Sequence, residues 1–400
     1  MTIHATQMRP GRNVGALSLL LSLISLAACS SGTAQRPEAA SLIRADAGFE
    51  CRPPEATDPD FVRNLIGGEV SVADIDGFLD ARMADMDIPG ISLAIINDSE
   101  VVFHRAKGMA NIETGEAVDG CTIFEGASIT KPLFGYFVMG FVEDGKLDLD
   151  RPLYEYLPYR DIAYDDRYKA ITARMVLTHQ TGFPNWRTDF PDKKLFIKFD
   201  PGEKYGYSGE AYQYLALVLQ EIEGVDGPGL EALFQARVAR PLGMTHTQII
   251  PSEAMQAAKA TPYKDGAPTA KWVYTDQFGA AYGVNSEARD FSKWLIAVIE
   301  RRGLSEATFE EYLSAQDVHL PRDFDASNSP FGPLSIALGF QIYEIPGIGK
   351  IYMHDGNNSG FSSLIIIHPE QKWGLVMFAN ADHSTQIMQE LALFLNTPRE

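Results

Sequence analysis

Helical and strand-like periodicities are segregated along this chain, and that segregation limits the folds open to it. Residues 72 to 86 carry helical spacing, and "GISLAIINDSEVVFHRAKG" reads as two strands about an Asn-Asp-Ser turn. The middle is helical: the apolar run after Ser128, then "TARMVLTH", "GEAYQYLALVLQEIEG" and "LEALFQARVARPLG", parted by Pro- and Gly-rich loops. Strands return in "LSIALGFQIYEI", "KIYMHDG", "SSLIIIHP" and "WGLVMFANA", spaced as a meander, and "STQIMQELALFLN" closes the chain as an amphipathic helix. This order predicts an α+β fold of α/β-sandwich type. An antiparallel sheet is assembled from both ends of the chain (about 56–130 and 270–400) and flanked by N- and C-terminal helices, with an all-helical part (about 131–269) inserted between. With 400 residues, 45% of them hydrophobic, the chain can bury the core this needs. A cleft between the two parts is the natural place for a site.

The first 29 residues stand apart. Arg9 and Arg12 precede the apolar stretch "VGALSLLLSLISLAAC", and no acidic residue occurs before Glu38. The pattern is that of an export signal, too short in its apolar part to be a comfortable membrane span. Its end, Leu26-Ala27-Ala28-Cys29, resembles the lipobox of bacterial lipoproteins. There the cysteine is lipidated, and a following serine, here Ser30, implies sorting to the outer membrane. The alternative is an ordinary cleaved signal that happens to carry a cysteine. Residues 30–55 then read as a tether, and 56–400 as the catalytic domain. The expected location is exported and periplasmic, with a membrane contact through the lipid anchor. Cys51 and Cys121 remain, and in an oxidising compartment they form either a disulfide or two separate buried thiols.

A formal net charge of −19 excludes a nucleic-acid partner, since no basic stripe is available to neutralise phosphates. Neither Cys51 nor Cys121 has the spacing of a metal site, and no His-Glu-x-x-His motif occurs.

The chemistry centres on "GASITKPLFGYFVMGFVEDGKL", which holds the chain's Ser-x-x-Lys. A serine hydroxyl needs a base within hydrogen-bond reach, and a lysine serves when burial lowers its pKa. Residues three apart share a helix face, so a helix beginning near Ser128 sets Lys131 beside the hydroxyl, and the apolar run that follows would desolvate the ammonium. A capping serine followed by a solvated lysine is the bland alternative. Downstream, "KYGYSGEAYQYL" places Tyr207 and Ser208 just before a helix, and "IYMHDGNNSGFSS" places His354, Asp355 and Gly356 at the end of a strand.

These three elements, in this order, resemble the serine β-lactamase and penicillin-binding-protein superfamily, in the branch of class C β-lactamases, D-alanyl-D-alanine carboxypeptidases and related esterases. "SITK" is followed by "YSG" where the family has Tyr-x-Asn, then by "HDG" where it has Lys-Thr-Gly or His-x-Gly. "LTHQTGF", "FDPGEKYGYS" and "PLGMTHT" resemble further family segments, and the likeness covers roughly residues 70 to 395.

The resemblance implies a serine hydrolase acting on a small ester, amide or peptide, with no cofactor. Ser128 would be acylated, and Lys131 and Tyr207 would handle its proton, either of them as base. His354 would steer a substrate carboxylate or support the proton network. The backbone N–H groups of Ser128 and Asn357 would form the oxyanion hole, with Gly356 keeping the strand face clear. Ser208 is either a proton shuttle or a helix cap. Gly209 stands where many relatives carry an asparagine that holds the acyl side-chain carbonyl, which shifts the expectation toward esterase or peptidase activity and away from β-lactam hydrolysis. His354 in place of the class C lysine predicts carboxylate recognition that fades as pH rises past about 6.5. A penicillin-binding-type lipoprotein with little turnover is the alternative of another class. His179 reads as structural, and Trp186 and Trp272 as loop residues that either border the cleft or pack.

Overall fold

The computed structural model describes residues 59–270, 276–321 and 333–397. Cys29, the tether, Cys51 and Trp272 lie outside them. The N-terminal part gives β1 (Phe61–Arg63), β2 (Glu69–Ser71), α1 (Val72–Asp85), β3 (Gly90–Asn97), β4 (Glu100–Asn111), β5 (Glu116–Ala117) and β6 (Phe124–Ala127). The middle supplies α2 (Thr130–Glu143), α3 (Ala173–Leu177), α4 (Gly209–Glu223), α5 (Gly227–Phe234) and α6 (Glu253–Ala257), followed by a two-residue hairpin of β7 (Tyr263–Lys264) and β8 (Ala267–Pro268). Then come β9 (Val284–Ser286), α7 (Ala288–Ile299), α8 (Glu306–Leu313), β10 (Leu334–Ile336), β11 (Gln341–Ile345), β12 (Gly349–Asn358), β13 (Phe361–His368), β14 (Trp373–Ala379) and α9 (Thr385–Asn396).

The main sheet has eight strands in the order β10-β11-β12-β13-β14-β3-β4-β5, and its ladders are antiparallel. The ladder of β14 against β3, with Val376 opposite Ala94, is where the two ends of the chain meet. The expected β3–β4 hairpin turns through Asp98 and Ser99, both at positive φ. This handedness matches a two-residue turn to the twist of its strands.

Strand alternation divides the core into two layers. Ile91, Leu93 and Ile95 of β3 join Leu364, Ile366, Leu375 and Met377 under α1 and α9. Ala94, Ile96, Ile365, Val376 and Phe378 face the opposite way, into the larger cluster that includes α2, α4 and α7. At about 1.5–3 kcal/mol for each fully buried large aliphatic or aromatic side chain, these layers make the sheet a rigid wall for the site. α2 runs through the larger layer with Leu133, Phe134, Phe137, Val138 and Phe141 all buried. Cys121 is disulfide-bonded, so the reading of it as a separate buried thiol is set aside. None of the described helices is long and apolar enough to cross a membrane.

Candidate active site

The turn that presents Ser128 is made by backbone geometry. β6 pairs with β9, with Glu125 opposite Asn285 and Ala127 opposite Val284. Ala127 sits at a φ of 48°, a left-handed conformation that costs an alanine about 1–2 kcal/mol. Thr130 holds this turn closed: its hydroxyl donates to Ala127 O at 2.5 Å and accepts from Val284 N at 2.9 Å. α2 starts at Thr130, so Ser128 lies in the turn ahead of the helix and does not cap it.

Lys131 is only 1% exposed, which excludes the solvated-lysine alternative. Its Nζ lies 3.0 Å from Ser128 Oγ and donates to the carbonyl of Ala281 at 2.9 Å. Desolvation brings its pKa down to about 7, against a smaller upward pull from Asp355. A lysine with this pKa is part neutral at physiological pH, the form that accepts a proton.

Tyr207 completes the group. Its phenol is directed toward Ser128, and its ring centroid lies 4.6 Å from Lys131 Nζ. Burial pushes its pKa well above the ordinary tyrosine value, so it remains a phenol. Beneath it, His179 is buried with its ring 4.3 Å from the Tyr207 ring, and its Nδ1 accepts from the Ser208 N–H at 3.2 Å. Gly206 N donates to the His179 carbonyl at 2.7 Å. Desolvation first, then the neighbouring Lys131 and His354, hold His179 neutral. It fixes the loop that carries Tyr207, in line with the structural reading.

β12 forms the opposite wall. A side chain at Gly356 would come within 2.9 Å of Ser128 N and would also collide with Gly126 O and Ser363 Oγ, so only glycine lets the strand pass this close. Ser363 Oγ donates to Gly126 O at 2.6 Å, tying β13 to the serine's own strand. Asn357 is exposed and its Nδ2 donates to Asp382 O. Its side chain is therefore anchored away from the wall, and its main chain follows directly on Gly356.

Two expectations need correction. Ser208 is not free to move protons: it is fully buried, its hydroxyl donates to Pro184 O at 2.8 Å, and it accepts from Ala211 N at 3.1 Å as the N-cap of α4. His354 is not a switch near pH 6.5. It is 3% exposed, and desolvation, assisted by Lys131 and opposed by Asp355, lowers its pKa to about 4. Its Nδ1 is 2.6 Å from Asp355 O, an acceptor only, so the proton of the ring sits on Nδ1. In the free protein it is therefore a neutral ring at neutral pH.

Two contributors had no sequence signal of their own. The Ala281 acceptor is a backbone carbonyl. Asp355 stands inside "HDG", yet its closeness to Lys131 depends on the fold. A cavity of about 710 Å³ adjoins the site, lined by Trp186, Arg187, Glu210, Gln213, Tyr282 and Asn358 among others. The Trp186 indole lies directly over Gly209, so any side chain at 209 would strike the ring, and it meets Tyr282 edge-on with centroids 5.6 Å apart. Where the resemblance implies an amide, this chain places an aromatic wall. Arg187 is spoken for, bonded to Glu210, Asp161 and the Tyr159 hydroxyl. No group of three or more His, Cys, Asp or Glu among the described residues is placed to hold a metal ion.

The Beta-lactamase family model matches residues 75–396. The chain is 26% identical over 342 residues to the unguisins hydrolase ungD of Aspergillus violaceofuscus, covering 74% of this chain and 59% of that one. It is 29% identical over 223 residues to the esterase EstB of Burkholderia gladioli (49% and 55%). It is 26% identical over 365 residues to a beta-lactamase of Yersinia enterocolitica (81% and 90%). The chain thus spans less than two thirds of the length of the first two of these relatives. Among solved structures, an octameric penicillin-binding protein homologue from Pyrococcus abyssi superposes with a TM-score of 0.68 at 24% identity, over 82% of this chain and 78% of that one.

Proposed function

Because this chain belongs to the Beta-lactamase family, we propose that it is a serine hydrolase cleaving carboxylic esters or amides through an acyl-enzyme on Ser128, with esterase or peptidase activity favoured. The observation that carries this reading is the buried Lys131 amine 3.0 Å from Ser128 Oγ, its pKa lowered to about 7. Neutral Lys131 takes the hydroxyl proton as Oγ attacks the substrate carbonyl, and the carbonyl π electrons move onto its oxygen. The backbone N–H groups of Ser128 and Asn357 meet that charge. Tyr207, held as a phenol, relays the proton from Lys131 to the leaving alcohol or amine as the tetrahedral intermediate collapses. A water then attacks the acyl-enzyme by the same route in reverse, releasing the acid and free Ser128.

Two observations favour ester or peptide substrates over β-lactams. Gly209 supplies no side chain to hold an acyl-side carbonyl, and the Trp186 indole fills the space over it. His354 is neutral, so the cation that would pair with a β-lactam carboxylate is missing from that position. β-Lactamase or D-alanyl-D-alanine carboxypeptidase activity is the second reading within the class. A penicillin-binding-type lipoprotein with little turnover is the reading outside it. The export signal and the lipid on Cys29 belong to the same proposal.

A panel of short acyl esters, D-alanyl peptides and a chromogenic cephalosporin tests the reading, with mass spectrometry for an adduct on Ser128. Sustained ester hydrolysis that falls roughly 10⁵-fold in Ser128→Ala is expected. A stoichiometric burst with a stable adduct identifies the low-turnover protein instead, and full activity in Ser128→Ala sinks the assignment.

A further inference from the structure

The carboxylate of Glu125, three residues ahead of Ser128, is almost wholly buried and has no place in the mechanism above. One oxygen meets Lys259 Nζ at 3.0 Å, with the two side chains 4% and 0% exposed. The other accepts from Asn358 Nδ2 at 2.8 Å. A buried ion pair recovers little net stability after two desolvations, so its worth is sought in what it orients. Here it orients an amide. A carboxylate only accepts, so the –NH₂ of Asn358 must face Glu125 and its carbonyl oxygen must point elsewhere.

The surroundings of that amide supply the rest. β12 alternates with period two, so Asn358 shares the face of His354 and Gly356, the wall opposite Ser128. Asn358 is half-buried and lines the 710 Å³ cavity. The other walls connect to the same centre: Tyr282 follows the Ala281 carbonyl that holds Lys131, and Trp186 covers Gly209, two residues after Tyr207. The cavity's other polar side chains are largely committed. Gln213 donates to Phe278 O and accepts from Ala281 N, and Arg187 is held by Glu210 and Asp161. No hydrogen bond among the described residues occupies the Asn358 carbonyl oxygen.

We infer that Asn358 is a specificity-determining residue: its carbonyl, locked in orientation by the Glu125–Lys259 pair, accepts a hydrogen bond from an N–H or O–H on the acyl part of the substrate. The inference rests on the serine-hydrolase reading and refines it. Gly209, covered by the Trp186 indole, offers no side chain to an acyl carbonyl, and the acceptor at Asn358 selects for a donor instead. Glu125 and Lys259 do not touch substrate and are positioning residues.

The test uses p-nitrophenyl esters of N-acetylglycine and N-acetylsarcosine, which differ by replacement of one N–H with N–CH₃, and reads the ratio of their kcat/KM values. In the unaltered enzyme the N–H ester is preferred. In Asn358→Leu the ratio falls about tenfold, the worth of one good hydrogen bond. Glu125→Gln, which offers Asn358 a partner able to donate, lowers the ratio as well by letting the amide turn over. A merely structural role would slow both esters together and leave the ratio alone. Asn358→Ser supplies the same measurement should the leucine variant not fold. An unchanged ratio in the folded Asn358 variant, with both activities abolished in Ser128→Ala, overturns the inference and leaves the hydrolase reading standing. Hydrolysis of both esters surviving in Ser128→Ala overturns the two together.

Discussion

Lys131 and Lys259 are the same residue type, both at 3% exposure or less, and they flank the same short segment of chain. Lys259 meets the Glu125 carboxylate at 3.0 Å. Lys131 meets a hydroxyl and a carbonyl, with the Asp355 charge only near enough to soften the effect of burial. An adjacent opposite charge favours the ammonium, whereas burial among neutral dipoles favours the amine. The partner, and not the depth, therefore separates a lysine that organises the site from one that can take a proton in it.

The sharpest way to break this comparison is at Lys131. Lys131→Arg keeps length and positive charge but cannot release a proton, so kcat/KM for an ester substrate is expected to fall roughly 10³-fold. Stopped assays on the purified variant measure it, and more than a tenth of the original rate would show that the amine is not the base. Next in size is Lys259→Met, which strands the Glu125 carboxylate in the interior and should cost about 3–5 kcal/mol of stability by urea unfolding. The double variant Glu125→Gln/Lys259→Met should recover part of that loss. If the single variant is no less stable than the parent, the ion pair is not an organising element.

The difference between the two lysines also marks how far the sequence could be read. Periodicity was sufficient for the sheet from both ends and the helical middle, because alternation and helical spacing are local properties of residues such as Ile91, Leu93 and Ile95. The spacing of Ser128 and Lys131 was legible for the same reason: three residues fix the distance. Long-range partners were not. Nothing in "GAAYG" announces that the Ala281 carbonyl will hold a lysine 150 residues away, and nothing in the sequence pairs Glu125 with Lys259 and Asn358. The charge of His354 depends on its burial, at 3% exposure, which a strand pattern does not report. A serine ahead of a helix fits a shuttle and a cap equally, and the bonds of Ser208 to Pro184 O and from Ala211 N make it a cap.

The smallest of the expected effects separates Lys131 from the histidine beside it. With the Lys131 pKa lowered to about 7, the reactive amine is the minority form below that pH, so kcat/KM should rise about tenfold per pH unit up to 7 and then level. The sign follows from the base reading: a group that must be deprotonated gains activity as pH rises through its pKa. His354, lowered to about 4, is already neutral across this window and adds no second inflection near 6.5. His354→Asn should therefore change the height of the profile while leaving its midpoint within a few tenths of a unit. The direction of any residual movement is also set, because a proton on His354 would disfavour one on Lys131. A midpoint that instead jumps by a full unit in this variant would mean that the histidine itself titrates in the working range, and that the partner rule drawn from the two lysines does not extend to it.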